Sequence, residues 1–177
     1  MSSPYLRYPI GKFTSPASVS AEEISAFIHT VEQLPMKLHA QVKSLNDDQL
    51  DTTYRDGGWT VRQVIHHLAD SHINSYIRFK LALTEDNPVI KPYFEERWAE
   101  LPEAKQGEIM MSLNLIESVH HRWVIMLKAI KSDEWSRTFF HPEKNISLRL
   151  DTTLALYAWH CEHHLAHISH LKTRENW

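Results

Sequence analysis

Glycine and cysteine are scarce in this sequence: four glycines in 177 residues and a single cysteine, Cys161. So little glycine argues against a turn-rich β fold and in favour of helices. One thiol excludes an internal disulfide and fits a reducing compartment, so a cytoplasmic location is expected. There is no glycine-rich phosphate loop. No apolar run approaches the roughly 20 residues needed to span a bilayer. The opening MSSPYLRYPIGKF carries no signal-peptide core. Positive charge is not in excess either. A net charge of −3 leaves no electrostatic footprint for nucleic acid. What remains is a soluble balance, 42% apolar and 23% charged, in a length that fits one domain.

Histidine is the residue in surplus. Five of the thirteen lie between Leu154 and Leu171, in LALYAWHCEHHLAHISHL. Projected as a helix at roughly 100° per residue, this stretch gathers Leu156, Tyr157, His160, His164, His167, Ile168 and Leu171 on one stripe. Ala155, Glu162 and Ala166 fall opposite. His160 and His164 are one turn apart, so their rings can converge on one cation. A single inward histidine is usually a hydrogen-bonded core residue. Three on one stripe need polar partners that Leu156, Ile168 and Leu171 do not supply. A shared metal satisfies several at once.

The rest of the chain reads as helices. Residues 1–19, with Pro4, Pro9, Gly11 and Pro16, read as an extended arm. Residues 20–177 form one helical domain. Ser20 and Glu23 make a capping box, and helical periodicity runs from Ile24 to Leu45 with a kink at Pro35. A polar connection broken by Gly57-Gly58 leads to a second capping box, Thr60 with Gln63. The following helix runs to about Leu83. Its buried stripe holds His72, its edge holds His67, Ser71, Asn74 and Arg78, and His66 points mostly away. Either His67 or His72 could supply a third ligand; periodicity does not choose between them.

Pro88, Pro92 and Pro102 break the pattern from Thr84 to Lys105, with a short helix around Phe94–Glu100. Such a long connection suits a crossing from one end of a bundle to the other. A third long helix covers Glu108 to Ile130 and turns His120 inward. It is either a satisfied core residue or a group that orients a ligand or faces substrate. A short turn or helix at Ser132–Trp135 follows. Arg137–His141 and Ile146–Leu150 pair as a small hairpin, and Asp151 caps the histidine helix.

Four long amphipathic helices predict an all-α bundle with its site inside. Three histidines and no fourth protein ligand leave a metal open to water or substrate, as in catalytic sites. The cation then supplies a nucleophile at neutral pH. HCEHH is not the zincin peptidase motif, and Glu162 faces away from His160 and His164. The inward glutamates of ferritin-like di-iron bundles are missing. Cys161 lies off the stripe and reads as an inert small hydrophobe.

Tyr54–Leu83 (YRDGGWTVRQVIHHLADSHINSYIRFKLAL) and Tyr157–Ile168 (YAWHCEHHLAHI) closely resemble the YfiT proteins, a branch of the DinB-like superfamily. YPIGKF and the Val119–Trp123 region are similar too. The resemblance covers nearly the whole chain. It implies a DinB-like four-helix bundle of up-down-down-up topology, with a long connection between the second and third bundle helices. It implies one zinc or nickel ion per chain held by His67, His160 and His164, which selects His67 over His72. It also implies a homodimer.

The activity so implied is that of a metal-dependent hydrolase using a water activated on the metal. Relatives in the superfamily are thiol S-transferases that use bacillithiol or similar low-molecular-weight thiols. A non-catalytic metal-binding module is the third reading. The partner expected is a small-molecule substrate, with no nucleic acid and no membrane. Asp70, Arg78 and His120 are the catalytic candidates. Asn74 and Tyr157, with Arg78, are the candidates to line a thiol cofactor pocket.

Overall fold

A computed structural model describes residues 4–177. Its helices are α1 (Pro4–Arg7), α2 (Ala21–Val42), α3 (Asp47–Leu50), α4 (Val61–Thr84), α5 (Glu95–Trp98), α6 (Pro102–Gln106), α7 (Ile109–Ala129) and α8 (Leu150–Glu175). A 3₁₀ turn at Glu134–Ser136 and two strands, β1 (Thr138–His141) and β2 (Ile146–Arg149), precede α8. No helix among the described residues is long and apolar enough to cross a membrane.

Both capping boxes form. Ser20 and Glu23 cap α2, and Thr60 and Gln63 cap α4, each satisfying donors that a helix start leaves free. Helix α2 runs through Pro35 without ending. A helix-interior proline costs about 3 kcal/mol, because it lacks an N–H and crowds the carbonyl four residues back. Here that carbonyl belongs to Val31. The hairpin pairs Thr138 with Arg149 and His141 with Ile146, as the extended runs predict.

Helices α2, α4, α7 and α8 form the bundle. Helix α2 packs against α7 and α8, and α4 packs against the same two, so α2 and α4 sit diagonally. Cross-helix pairs give the directions. Lys37 meets Glu162 and Lys172 meets Gln41, so α2 and α8 run parallel. His66 meets Ser112 and His72 meets His120, so α4 and α7 run parallel. Ser71 meets Tyr157 while His67 meets His160, so α4 opposes α8. The order is up-down-down-up, and the long α4–α7 connection follows from it.

That connection is pinned by the first turns of α4. Arg62 is buried and reaches Asp51 at 2.7 Å, Asp47 at 2.8 Å and the Gly107 carbonyl at 3.1 Å. Gln63 donates to the Ala99 carbonyl at 2.7 Å. His66 does not point away, as the helical projection suggests. It is buried between Ser112 Oγ (2.7 Å) and the Gly107 carbonyl (3.2 Å). The crossing segment covers the face that a simple amphipathic reading leaves to solvent.

Three further expectations change. The arm is not wholly extended, because Pro4–Arg7 make one helical turn; residues 1–3 lie outside the described part. Asp151 does not cap α8. The helix starts one residue earlier, because the Leu150 N–H closes the hairpin on the Arg137 carbonyl. Asp151 is instead buried, paired with Arg149 and accepting from the Thr152 N–H. Finally, Ala155 and Ala166, placed on the outer face by projection, are buried. Helix α8 is covered nearly all round, with Glu162 left at the surface to pair with Lys37.

Candidate metal centre

The antiparallel contact between α4 and α8 brings His67 beside His160 and His164. Nε2 of His67 lies 3.3 Å from Nε2 of His160. One ligand nitrogen from each of the three residues lies within 4.8 Å of the others. Two nitrogens that share a tetrahedral cation at about 2.0–2.1 Å stand roughly 3.4 Å apart. At that separation two imidazole lone pairs need a proton or a cation between them. The donor set and the spacing therefore fit a divalent metal.

Burial keeps these imidazoles neutral, as ligation requires. His67 is held down at about 4, chiefly by burial and then by His163. Burial holds His160 and His164 well below the usual histidine range, with the neighbouring imidazoles adding to it. Trp59 covers His67 with ring centroids 4.6 Å apart. It is carried there by the turn at Gly57, whose φ of +63° an L side chain rarely adopts.

His160 and His164 each have a partner behind them. His160 Nδ1 is 3.1 Å from His72 Nε2, His72 Nδ1 is 2.8 Å from His120 Nε2, and His120 Nδ1 is 2.6 Å from the Val31 carbonyl. His164 Nδ1 is 3.4 Å from His167 Nδ1, and His167 Nε2 is 3.2 Å from the Arg7 carbonyl. His163, His164 and His167 also lie close enough to form a second cluster.

His67, His160 and His164 line a cleft of about 850 Å³. Arg78 lines it, and so does Tyr93, which comes from the proline-broken connection. Burial, chiefly, raises the Tyr93 phenol above its ordinary range, so it stays a hydrogen-bond donor at neutral pH. Nothing in the local pattern around Tyr93 marks it, because its neighbours in space come from other elements.

The other candidates sit elsewhere. His120 is buried at the far end of the imidazole chain. Tyr157 is buried behind the site, its hydroxyl on Ser71 Oγ (3.3 Å) and the Ser71 carbonyl (3.2 Å). Asn74 turns back to the Asp70 carbonyl at 2.8 Å. Asp70 is not among the residues that line the cleft, and burial together with Glu103 raises its carboxyl to about 6. The arm contributes where it was expected only to trail. Tyr5 stacks on His170, Tyr8 packs on His163 and Phe13 on Trp159. Cys161 is fully buried, which drives its thiol pKa up and leaves it inert.

Comparison with known proteins agrees with this picture. Residues 30–168 match the model of the DinB superfamily. A protein of Bacillus cereus (strain 03BB102) named "Putative metal-dependent hydrolase" is 53% identical over 172 residues, covering 97% of this chain and 98% of its own. One of the same name from Bacillus anthracis (strain CDC 684 / NRRL 3495) is 52% identical over the same length. The solved structure of YfiT from Bacillus subtilis, described as a probable metal-dependent hydrolase with an unusual four-helix bundle topology, superposes with a TM-score of 0.95. It is 47% identical, with 98% of this chain and 99% of that chain covered.

Proposed function

The chain belongs to the DinB superfamily, and on that premise we propose that it is a metal-dependent hydrolase whose zinc or nickel ion is held by His67, His160 and His164. The observation that carries this reading is the convergence of three neutral imidazoles on an open cleft. Bound there, a divalent cation lowers the pKa of a coordinated water and polarises an ester or amide carbonyl.

The chain's own residues do the rest. Trp59 shields the His67 edge and limits water on that side. Tyr93 offers a protonated hydroxyl to a substrate oxygen, and Arg78 offers a fixed positive charge to an anionic group. The cleft volume suits a small molecule rather than a polymer.

A second reading, a thiol S-transferase, is favoured by one feature. Arg7, Arg55, Arg78 and Lys144 line the cleft beside Glu95, Glu96, Glu100 and Glu143. That mixture suits a zwitterionic thiol carrying carboxylate and amino groups. The discriminating experiment incubates zinc- or nickel-loaded protein with a panel of activated esters and amides, then with bacillithiol plus chlorodinitrobenzene. Ester or amide cleavage that is lost in His164→Ala is the expected result. Thiol-dependent conjugation without cleavage would replace the hydrolase by the transferase. Inertness in both assays with tightly held metal would favour a non-catalytic module.

A further inference from the structure

Two chains of imidazoles run from the site to backbone carbonyls on other elements, and the carbonyls fix how each chain is protonated. A carbonyl oxygen only accepts. His120 Nδ1, 2.6 Å from the Val31 oxygen, must therefore carry the hydrogen. A neutral imidazole has one N–H and one lone pair, so His120 Nε2 accepts from His72 Nδ1–H at 2.8 Å. His72 Nε2 then accepts from His160 Nδ1–H at 3.1 Å. Only the lone pair on His160 Nε2 is left, and it faces His67 across 3.3 Å.

The Val31 carbonyl is available for a reason written in the sequence. In an uninterrupted helix it would accept from the N–H of residue 35. That residue is Pro35, which has none. Val31 is fully buried, so an unmatched carbonyl beside it would be costly. His120 fills the vacancy.

We propose that the carbonyl freed by Pro35 in α2 sets, through His120 and His72, which nitrogen of His160 is presented to the metal. His72 and His120 are thus positioning residues, and Pro35 is the feature that anchors them. His164 has a shorter counterpart. His167 Nε2–H donates to the Arg7 carbonyl at 3.2 Å, so His167 Nδ1 accepts from His164 Nδ1–H and leaves His164 Nε2 for the ion. The same assignment speaks against a separate metal at His163, His164 and His167, because the one lone pair of neutral His164 is already directed to the first site. Free histidine in water favours the opposite tautomer, Nε2–H. Both helix-α8 ligands are therefore held in the form that coordinates through Nε2 before metal arrives.

This rests on His160 and His164 being ligands, and the tests separate the two ideas because the first needs no metal. Two-bond ¹H–¹⁵N correlation on the metal-free protein reads each tautomer. His120, His72, His160 and His164 are expected as Nδ1–H, and His167 as Nε2–H. An Nε2–H signal at His160 overturns the proposal even if wild-type zinc binding is tight. Zinc titration of His72→Phe is expected to show affinity about 10–100-fold weaker than wild type; wild-type affinity in that folded variant overturns it. The link to Pro35 is tested by a double-mutant cycle. Pro35→Ala should raise the melting temperature more in a His120→Phe background, where the Val31 carbonyl has lost its donor, than in the wild type. Equal shifts in the two backgrounds overturn the role of the proline.

Discussion

The two antiparallel seams of this bundle are built from different materials. Between α2 and α7 the contact is mainly apolar. Val31, Leu34, Leu38, Ile116, Trp123 and Leu127 are each at most 1% exposed; the polar groups buried with them include the carbonyl that Pro35 frees and the Trp123 indole N–H, which has no partner among the described residues. Between α4 and α8 the contact is lined by His67, His72, Ser71, Tyr157, His160 and His164, where each buried polar atom needs a partner. The first seam gains stability from area removed from water and tolerates reshaping. The second gains specificity, because an imidazole network is favourable only when each member has a defined donor or acceptor. One fold thus separates the part that holds the chain together from the part that holds an ion. His120 joins them, sitting on α7 with one nitrogen toward each.

The sharpest way to break that contrast is to remove a ligand. His164→Ala should abolish stoichiometric zinc or nickel binding while the far-ultraviolet circular dichroism stays helical. Retained stoichiometric metal, read by elemental analysis after gel filtration, would refute the ligand set. The converse substitution is Leu38→Ala in the apolar seam. Leu38 is fully buried, and truncation should cost about 2–5 kcal/mol in urea unfolding. Metal stoichiometry should not change, and its loss would mean that the seams are not separable.

Acid should tell the seams apart as well. Burial holds His120 at about 4 in the folded chain against 6.5 when free. Between those values the unfolded chain binds a proton that the folded chain refuses. Stability therefore falls as pH drops from above 6.5 toward 4 and levels off below, by roughly 3 kcal/mol for His120 alone. Metal-free protein unfolded at pH 7.5 and 4.5 measures this. A pH-independent midpoint would show that the imidazoles are not buried neutral. Because His67 is also held at about 4, zinc affinity should stay flat from pH 8 to 6. A solvent-exposed trio of histidines would already be losing affinity there.

The sequence carries much of this, and the limit has a physical cause. Helical period locates the four long helices, and the capping boxes mark where two of them start. The one-turn spacing of His160 and His164 lets both rings reach one cation. Period alone could not decide between His67 and His72, because both lie on or beside the inward face of α4; the family resemblance chose His67. The structure places His72 one step behind the site, on His160. What the pattern could not supply is any partner distant in sequence. Val31, His72, His120 and His160 span four helices, and Arg7 reaches His167 from the N-terminal arm. Pro35 reads locally as a kink. The Val31 carbonyl it frees acquires a role only when α7 is laid beside α2. The misplaced cap at Asp151 has the same origin, since the hairpin hydrogen bond at Leu150 sets the start of α8.

The smallest expected effect tests whether the rim of the apolar seam matters at all. Lys128 reaches Glu32 across α7 and α2 at 2.7 Å, but the two side chains are 55% and 39% exposed. Solvent screening and the entropy of fixing two long side chains leave such a pair below about 1 kcal/mol. Lys128→Ala should therefore shift the unfolding midpoint only slightly, and less still at high salt, where exposed charges are screened. It should leave zinc affinity unaltered, although Glu32 immediately follows Val31 in α2. A clear loss of zinc affinity in this variant would mean that the position of the Val31 carbonyl depends on the helix rim, and that the anchor of the imidazole chain is softer than the buried contacts around it suggest.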